Sequence, residues 1–173
     1  MIKVNRQKLE TVTSFRYLGS VVSDEGSKPE VLSGIAQTTA ALTSMKLLWD
    51  DRNISLSSKI RLMCSFVTSI FMYACESWSL TAELQRRIQT MEMKCYRKIL
   101  RISYRDHVTN EEVRARIQQA IGAHEDLLTI VNRRKLKWYR HVFRLSGLDK
   151  TILRGTEKVG RRQGRQKKKQ INQ

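Results

Sequence analysis

Apolar positions change period once along this chain. Over residues 1–22, Ile2 and Val4 alternate with polar neighbours, and Leu9 and Val12 follow. Phe15, Tyr17, Val21 and Val22 add aromatic and β-branched side chains, so short strands are predicted. Asn5-Arg6 is expected to turn a first hairpin, and Ser23-Asp24-Glu25-Gly26-Ser27 to form a second turn. So few strands cannot make a stable sheet alone, which hints that the rest of the sheet belongs to other polypeptide.

After Pro29 the period becomes helical. Ile35, Leu42 and Trp49 fall seven apart with Leu32 and Met45 beside them, predicting a helix over about 30–49 that Asp50-Asp51-Arg52-Asn53 breaks. Leu56, Ile60, Met63, Val67, Ile70 and Ala74 predict a second helix over about 56–74, capped by Ser55 or Ser57. Phe66, Phe71 and Tyr73 make its second half apolar nearly all round, so it is expected to be the central helix. Leu84, Ile88, Met91, Cys95, Ile99 and Ile102 stripe a third helix over about 81–102, with Thr81 as cap. Thr109-Asn110-Glu111-Glu112 has the capping-box spacing and opens a short helix over about 110–121 that Gly122 stops. A last helix, about 124–145, carries Leu128, Val131, Trp138, Val142 and Leu145 on one side and ends before Gly147. Arg133 lies about 200° from Val131 around the axis. Arg133, Lys137, Arg140 and Arg144 thus form a cationic row opposite the apolar one. Trp138 and Tyr139 put rings beside these cations, but Trp138 falls on the apolar stripe and reads as core.

Charge sharpens this picture. The 173 residues carry 33 Lys and Arg against 16 Asp and Glu, a net charge of +17. The first fifty residues hold 6 basic and 5 acidic side chains, whereas residues 151–173 hold 8 and 1. Such a field gathers polyanions, nucleic acid ahead of an anionic membrane, most strongly toward the C-terminus. Residues 154–173 have almost no apolar content after Val159 and read as a flexible basic tail. The start, MIKVNRQKLE, has no apolar secretory segment, and the stretch from Cys64 to Cys75 is too short to span a bilayer. Three cysteines without a CxxC pair point to reduced thiols inside a cell, in nucleus or cytoplasm.

Candidate chemistry is sparse. Metal-dependent polymerases and nucleases need clustered carboxylates, yet Asp24-Glu25, Asp50-Asp51, Glu111-Glu112 and Glu125-Asp126 sit at turns or helix starts. Cys64, Cys75, Cys95, His107, His124 and His141 have no zinc-site spacing; Cys64 and Cys95 read as small buried hydrophobes. No catalytic or metal-ligating residue is therefore assigned. The basic positions are the candidates for contact: Arg87, Lys94, Arg97, Lys98 and Arg101 on the third helix, and Arg133, Lys137, Arg140 and Arg144 on the last, which lack acidic partners four residues away.

Five segments then resemble one family in order. Phe15-Arg16-Tyr17-Leu18-Gly19-Ser20 is similar to the F-x-Y-L-G-S segment that follows the catalytic palm of non-LTR (LINE-type, RTE-like) retrotransposon endonuclease/reverse transcriptases. Leu56 to Leu62 resembles the start of their second thumb helix. Tyr73-Ala74-Cys75-Glu76-Ser77-Trp78-Ser79-Leu80-Thr81 resembles their Y-G-C-E-T-W-T-L-T run. Arg97-Lys98-Ile99-Leu100-Arg101-Ile102-Ser103-Tyr104-Arg105-Asp106 resembles R-R-I-L-G-I-S-W-R-D, and Arg133 to Arg144 resembles R-R-L-R-W-L-G-H-V-L-R. Ala74 and Arg140 stand where glycine is usual.

The resemblance implies a placement. Residues 1–26 would end the palm, with Tyr17, Leu18 and Gly19 in its primer-gripping hairpin. Residues 30–102 would form a three-helix thumb, 106–147 a C-terminal helical region, and 148–173 the tail. It also implies that the magnesium-binding aspartates and the endonuclease precede Met1, so this chain alone is expected to be inactive and to hold no cofactor. The expected fold is mainly α with a small N-terminal β-hairpin portion. The expected function is binding of template–primer or RNA within an RNA-directed DNA polymerase, by phosphate neutralisation. RNA or DNA would be the partner, together with the missing palm; neither a membrane nor a small-molecule substrate is expected. The alternatives are a truncated element copy without function and a helical module co-opted for protein interaction.

Overall fold

A computed structural model describes residues 12–144 and, before them, the backbone of two short strands. Ile2, the Asn5-Arg6 turn, Leu9, Leu145, Gly147 and the basic tail lie outside the described residues. The protein is mainly helical behind a small β portion. Strands β1 (Lys3–Val4) and β2 (Gln7–Lys8) pair antiparallel, as do β3 (Ser14–Tyr17) and β4 (Ser20–Ser23), with Phe15 opposite Val22 and Tyr17 opposite Ser20. Leu18 and Gly19 join β3 to β4 with φ of 48° and 89°, the mirror-image two-residue turn that matches the twist of a hairpin.

Helix α1 (Lys28–Ser44) follows, with Pro29 in its first turn, and then α2 (Lys46–Asp50). The pattern predicts one helix here; Met45 divides it. Thr38, Thr39 and Thr43 each donate their hydroxyl to the carbonyl four residues back, and Ser44 to the one three back, so these side chains compete for the carbonyls of the last turns of α1. Beyond Met45, Trp49 donates from Nε1 to the Leu42 carbonyl at 2.7 Å while its ring is fully buried.

The predicted second helix is likewise divided, into α3 (Leu56–Leu62), a wide π-helical turn (Met63–Val67) and α4 (Thr68–Phe71). Residues in a wide turn advance by less than about 100° each, so the side chains that follow fall behind the α-helical phase. Phe71 and Met72 enter the core, whereas Phe66, Ile70 and Tyr73 stay exposed. The expectation of an all-round buried central helix is therefore corrected. That place belongs to α5 (Ala82–Ile99), which packs against α1, α2, α3 and α6 (Asn110–Ile121) and buries Leu84, Ile88, Met91, Cys95 and Ile99.

The caps follow the sequence closely. Ser55 Oγ accepts from Ser58 N, Thr81 Oγ1 accepts from Leu84 N, and Thr109 and Glu112 close a reciprocal box at 3.2 Å each. A second box, Ser103 with Asp106, holds a 3-10 turn (Tyr104–Asp106). α5 ends with Arg101 at φ 57°: Ile102 N bonds Arg97 O and Arg101 N bonds Lys98 O, the two bonds of a helix stop that usually places glycine there. Three bonds fasten the β3–β4 hairpin and the turn after it. Val21 N donates to the buried Glu30 carboxylate at 2.5 Å, Tyr73 Oη to Leu18 O, and Ser79 N to Ser27 Oγ at 2.7 Å.

The chain divides into units of residues 1–136 and 137–173, and α7 (Leu127–Arg144) runs from the first into the second. In the first unit Leu127 and Val131 are buried. In the second, Val142 is buried and the Tyr139 ring lies 4.3 Å from that of Phe143, but Trp138 is 40% exposed rather than core as its stripe predicts. Among the described residues no helix is long and apolar enough to cross a membrane.

Candidate nucleic-acid interface

Residues from α1, α5 and α6 enclose a groove of about 950 Å³. Its floor is apolar, from Leu42, Met93 and Ile102. Around it stand Arg86, Lys94, Arg97, Lys98 and Arg114, and among the described residues no carboxylate lines it. Lys94, Lys98 and Arg114 are exposed and have no hydrogen-bonded or ion-paired side chain among the described residues. Arg86 reaches back to the Ala82 carbonyl at 3.4 Å. Arg97 donates from Nη2 to Val108 O at 2.7 Å, while its Nη1 is buried without a partner. Leaving a buried donor without a partner costs on the order of 1–3 kcal/mol, and more when the donor is charged. Five like charges on one rim also repel one another until an anion sits among them.

The sequence-predicted site residues divide accordingly. Lys94, Arg97 and Lys98 meet in this groove. Arg87 turns away and pairs with Glu83 at 2.8 Å. Arg101 bonds the main-chain carbonyls of Trp49 and Asp50, at the end of α2, where buried Lys59 also donates to Trp49 O at 2.8 Å. Arg101 and Lys59 thus close the free carbonyls of a helix end. On α7, Arg133 has no acidic neighbour four residues away, but Glu125, eight residues back in the loop before the helix, pairs with it at 2.6 Å. Lys137, Arg140 and Arg144 are exposed in the second unit. Tyr17 and Leu18 project from the hairpin at 63% and 77% exposure, and Gly19 packs beside the Tyr73 ring.

Arg86 and Arg114 were missed. Arg86 was legible, since Arg86, Thr90, Lys94 and Arg97 recur at helical spacing. Arg114 was not, because its place depends on how α6 packs on α5.

No metal-binding set emerges: among the described residues no three His, Cys, Asp or Glu side chains lie close enough to share an ion. Burial keeps the thiols protonated, pushing Cys75 up to about 11 and Cys95 to about 12, so neither is a ready nucleophile or ligand.

A buried polar cluster lies on the other side of α5. Glu92 is 3% exposed and accepts at Oε1 from Leu127 N at 2.8 Å and from Tyr96 Oη at 3.0 Å. Tyr96 Oη has one proton and gives it to Glu92, so His124 Nε2, 2.6 Å away, is the donor to Tyr96. Desolvation raises the Glu92 and Tyr96 pKa values and lowers that of His124. This chain of bonds ties the start of α7 to α5.

No known family, curated protein or solved structure matches the chain.

Proposed function

We propose that this chain is a nucleic-acid-binding, non-catalytic portion of a non-LTR retrotransposon reverse transcriptase, working inside a cell in nucleus or cytoplasm. The groove between α1, α5 and α6 holds the sugar-phosphate backbone of RNA or of a template–primer. The observation that carries this reading is the ring of five cations with no carboxylate among the described residues that line it. Contacts of this kind position a strand without reading its sequence. The aspartates that would extend a primer are expected on the preceding palm, so the residues here steer and hold.

The backbone supports the family reading from a separate direction. The quoted motifs have glycine at the positions of Gly19, Ala74 and Arg101. Their φ angles are 89°, 57° and 57°, in the region that glycine alone enters freely.

Filter binding of RNA, primed duplex and DNA across salt tests the reading. Replacing Arg86, Lys94, Lys98 and Arg114 together by Gln should lower the slope of log affinity against log salt by roughly 3–4 units. Arg97 is left intact because it holds Val108. Replacing Lys137, Arg140 and Arg144 in a second variant measures the share of α7. Absence of binding by the unaltered protein, or a slope that the groove variant leaves unchanged, would sink the proposal.

One observation favours a second reading. Ala74 and Arg101 occupy conformations that cost an ordinary residue about 1–2 kcal/mol, as expected of an element copy no longer under selection for function.

A further inference from the structure

We infer that Tyr104 is a stacking platform for an unpaired base, and hence that the groove takes a single strand in preference to a duplex. This inference rests on the groove reading just given and narrows the ligand within it.

Tyr104 is 92% exposed, more than any other large apolar side chain among the described residues. Its ring buries almost nothing, so the fold does not require it. The backbone beneath it is nevertheless tightly held. The two bonds that stop α5 fix the entry to the turn, at 2.9 Å for Ile102 N to Arg97 O and 3.3 Å for Arg101 N to Lys98 O. The Ser103–Asp106 box fixes the turn itself, with Ser103 N on Asp106 Oδ2 at 2.5 Å. Arg97 holds the exit through the Val108 carbonyl at 2.7 Å. His107, at φ 49°, places its ring 6.2 Å from that of Tyr104 and tilted by 53°. A free ring on a braced turn loses little entropy when a flat partner lands on it.

The turn is also in the right place. Ile102 before it and Asn110 after it both line the cationic groove. A strand whose phosphates lie along Lys94, Lys98 and Arg114 would pass the turn with its bases within reach. Unpaired bases offer a π face to such a ring whatever their identity, whereas the faces of a duplex are already stacked on one another.

The test is a fluorescence-anisotropy titration of the full chain with a labelled oligouridylate and a blunt duplex of equal length at one low salt concentration. Tyr104→Ala should weaken single-strand binding about tenfold and leave duplex binding unchanged. Tyr104→Phe should bind like the unaltered protein, since stacking does not use the hydroxyl. An unchanged thermal midpoint for both variants checks the fold. Equal losses on strand and duplex, or no loss on the strand, would overturn the platform while leaving the groove standing. Failure of the unaltered protein to bind either ligand would overturn both.

Discussion

At Ala74 the chain turns from α4 into the segment leading to α5 with φ at 57°, and the β-carbon crowds its own carbonyl there. A glycine would remove that crowding and restore some freedom to the unfolded chain, which offsets part of the gain. Ala74→Gly is therefore expected to stabilise the protein by about 1 kcal/mol, raising the midpoint by roughly 2–4 °C. Thermal denaturation followed by circular dichroism checks this; a midpoint that stays or falls counts against the strain. Arg101→Gly should gain less, because the guanidinium lost there bonds the Trp49 and Asp50 carbonyls. Strain of this kind was only half visible in sequence. Ala74 stood out against a motif with glycine, but its φ comes from the turn between two packed helices.

Among the elements, α5 and α7 are joined by Glu92, whose carboxylate caps the Leu127 amide from outside the helix. Desolvation raises its pKa above the ordinary 4.5, helped by Asp126, while Leu127, Tyr96 and Arg114 oppose the shift. A carboxyl with a raised folded value contributes stability that is fully present below the unfolded value and is lost as pH rises through the folded one. His124 has the opposite sign: its folded value is lowered below 6.5, so its contribution is present above 6.5 and is lost as pH falls through the folded value. Glu92→Gln keeps the oxygen that accepts from Leu127 and Tyr96 but cannot ionise. Its stability relative to the unaltered protein should improve as pH rises above 4.5, leaving the His124 trend exposed. Urea denaturation at several pH values reads this, and a difference independent of pH would show that Glu92 is not the titrating group. The helices themselves were largely legible, because Ser55, Thr81, Thr109 and Gly122 mark ends that depend only on neighbours in sequence. The interruptions at Met45 and Met63–Val67 were not. They are set by which side chains fit the core, and a periodic stripe averages over them.

For the whole molecule, a net charge of +17 acts on folding and on binding with opposite signs. Added salt screens repulsion within the folded chain, so the midpoint should rise by about 2–4 °C between low and moderate ionic strength. Polyanion affinity should fall over the same range. A calorimetric midpoint that is flat or declines with salt would mean that the positive charges are already compensated within the fold. Lys94, Arg97 and Lys98 were legible as one stripe of α5, but the groove they form was not, since its other wall belongs to α1 and α6. The sequence also suggests a stronger role for α7, because Glu125 precedes Arg133 by eight residues, outside the spacing at which helix neighbours meet.

The main-chain carbonyls at the end of α2 accept hydrogen bonds from Lys59 and Arg101. Lys59, buried beneath these bonds, has no phosphate to meet and displaces no condensed counterions when a nucleic acid docks. Lys59 belongs to the electrical interior of the protein, and a tally of basic residues overstates by at least this one what the surface can trade with a polymer.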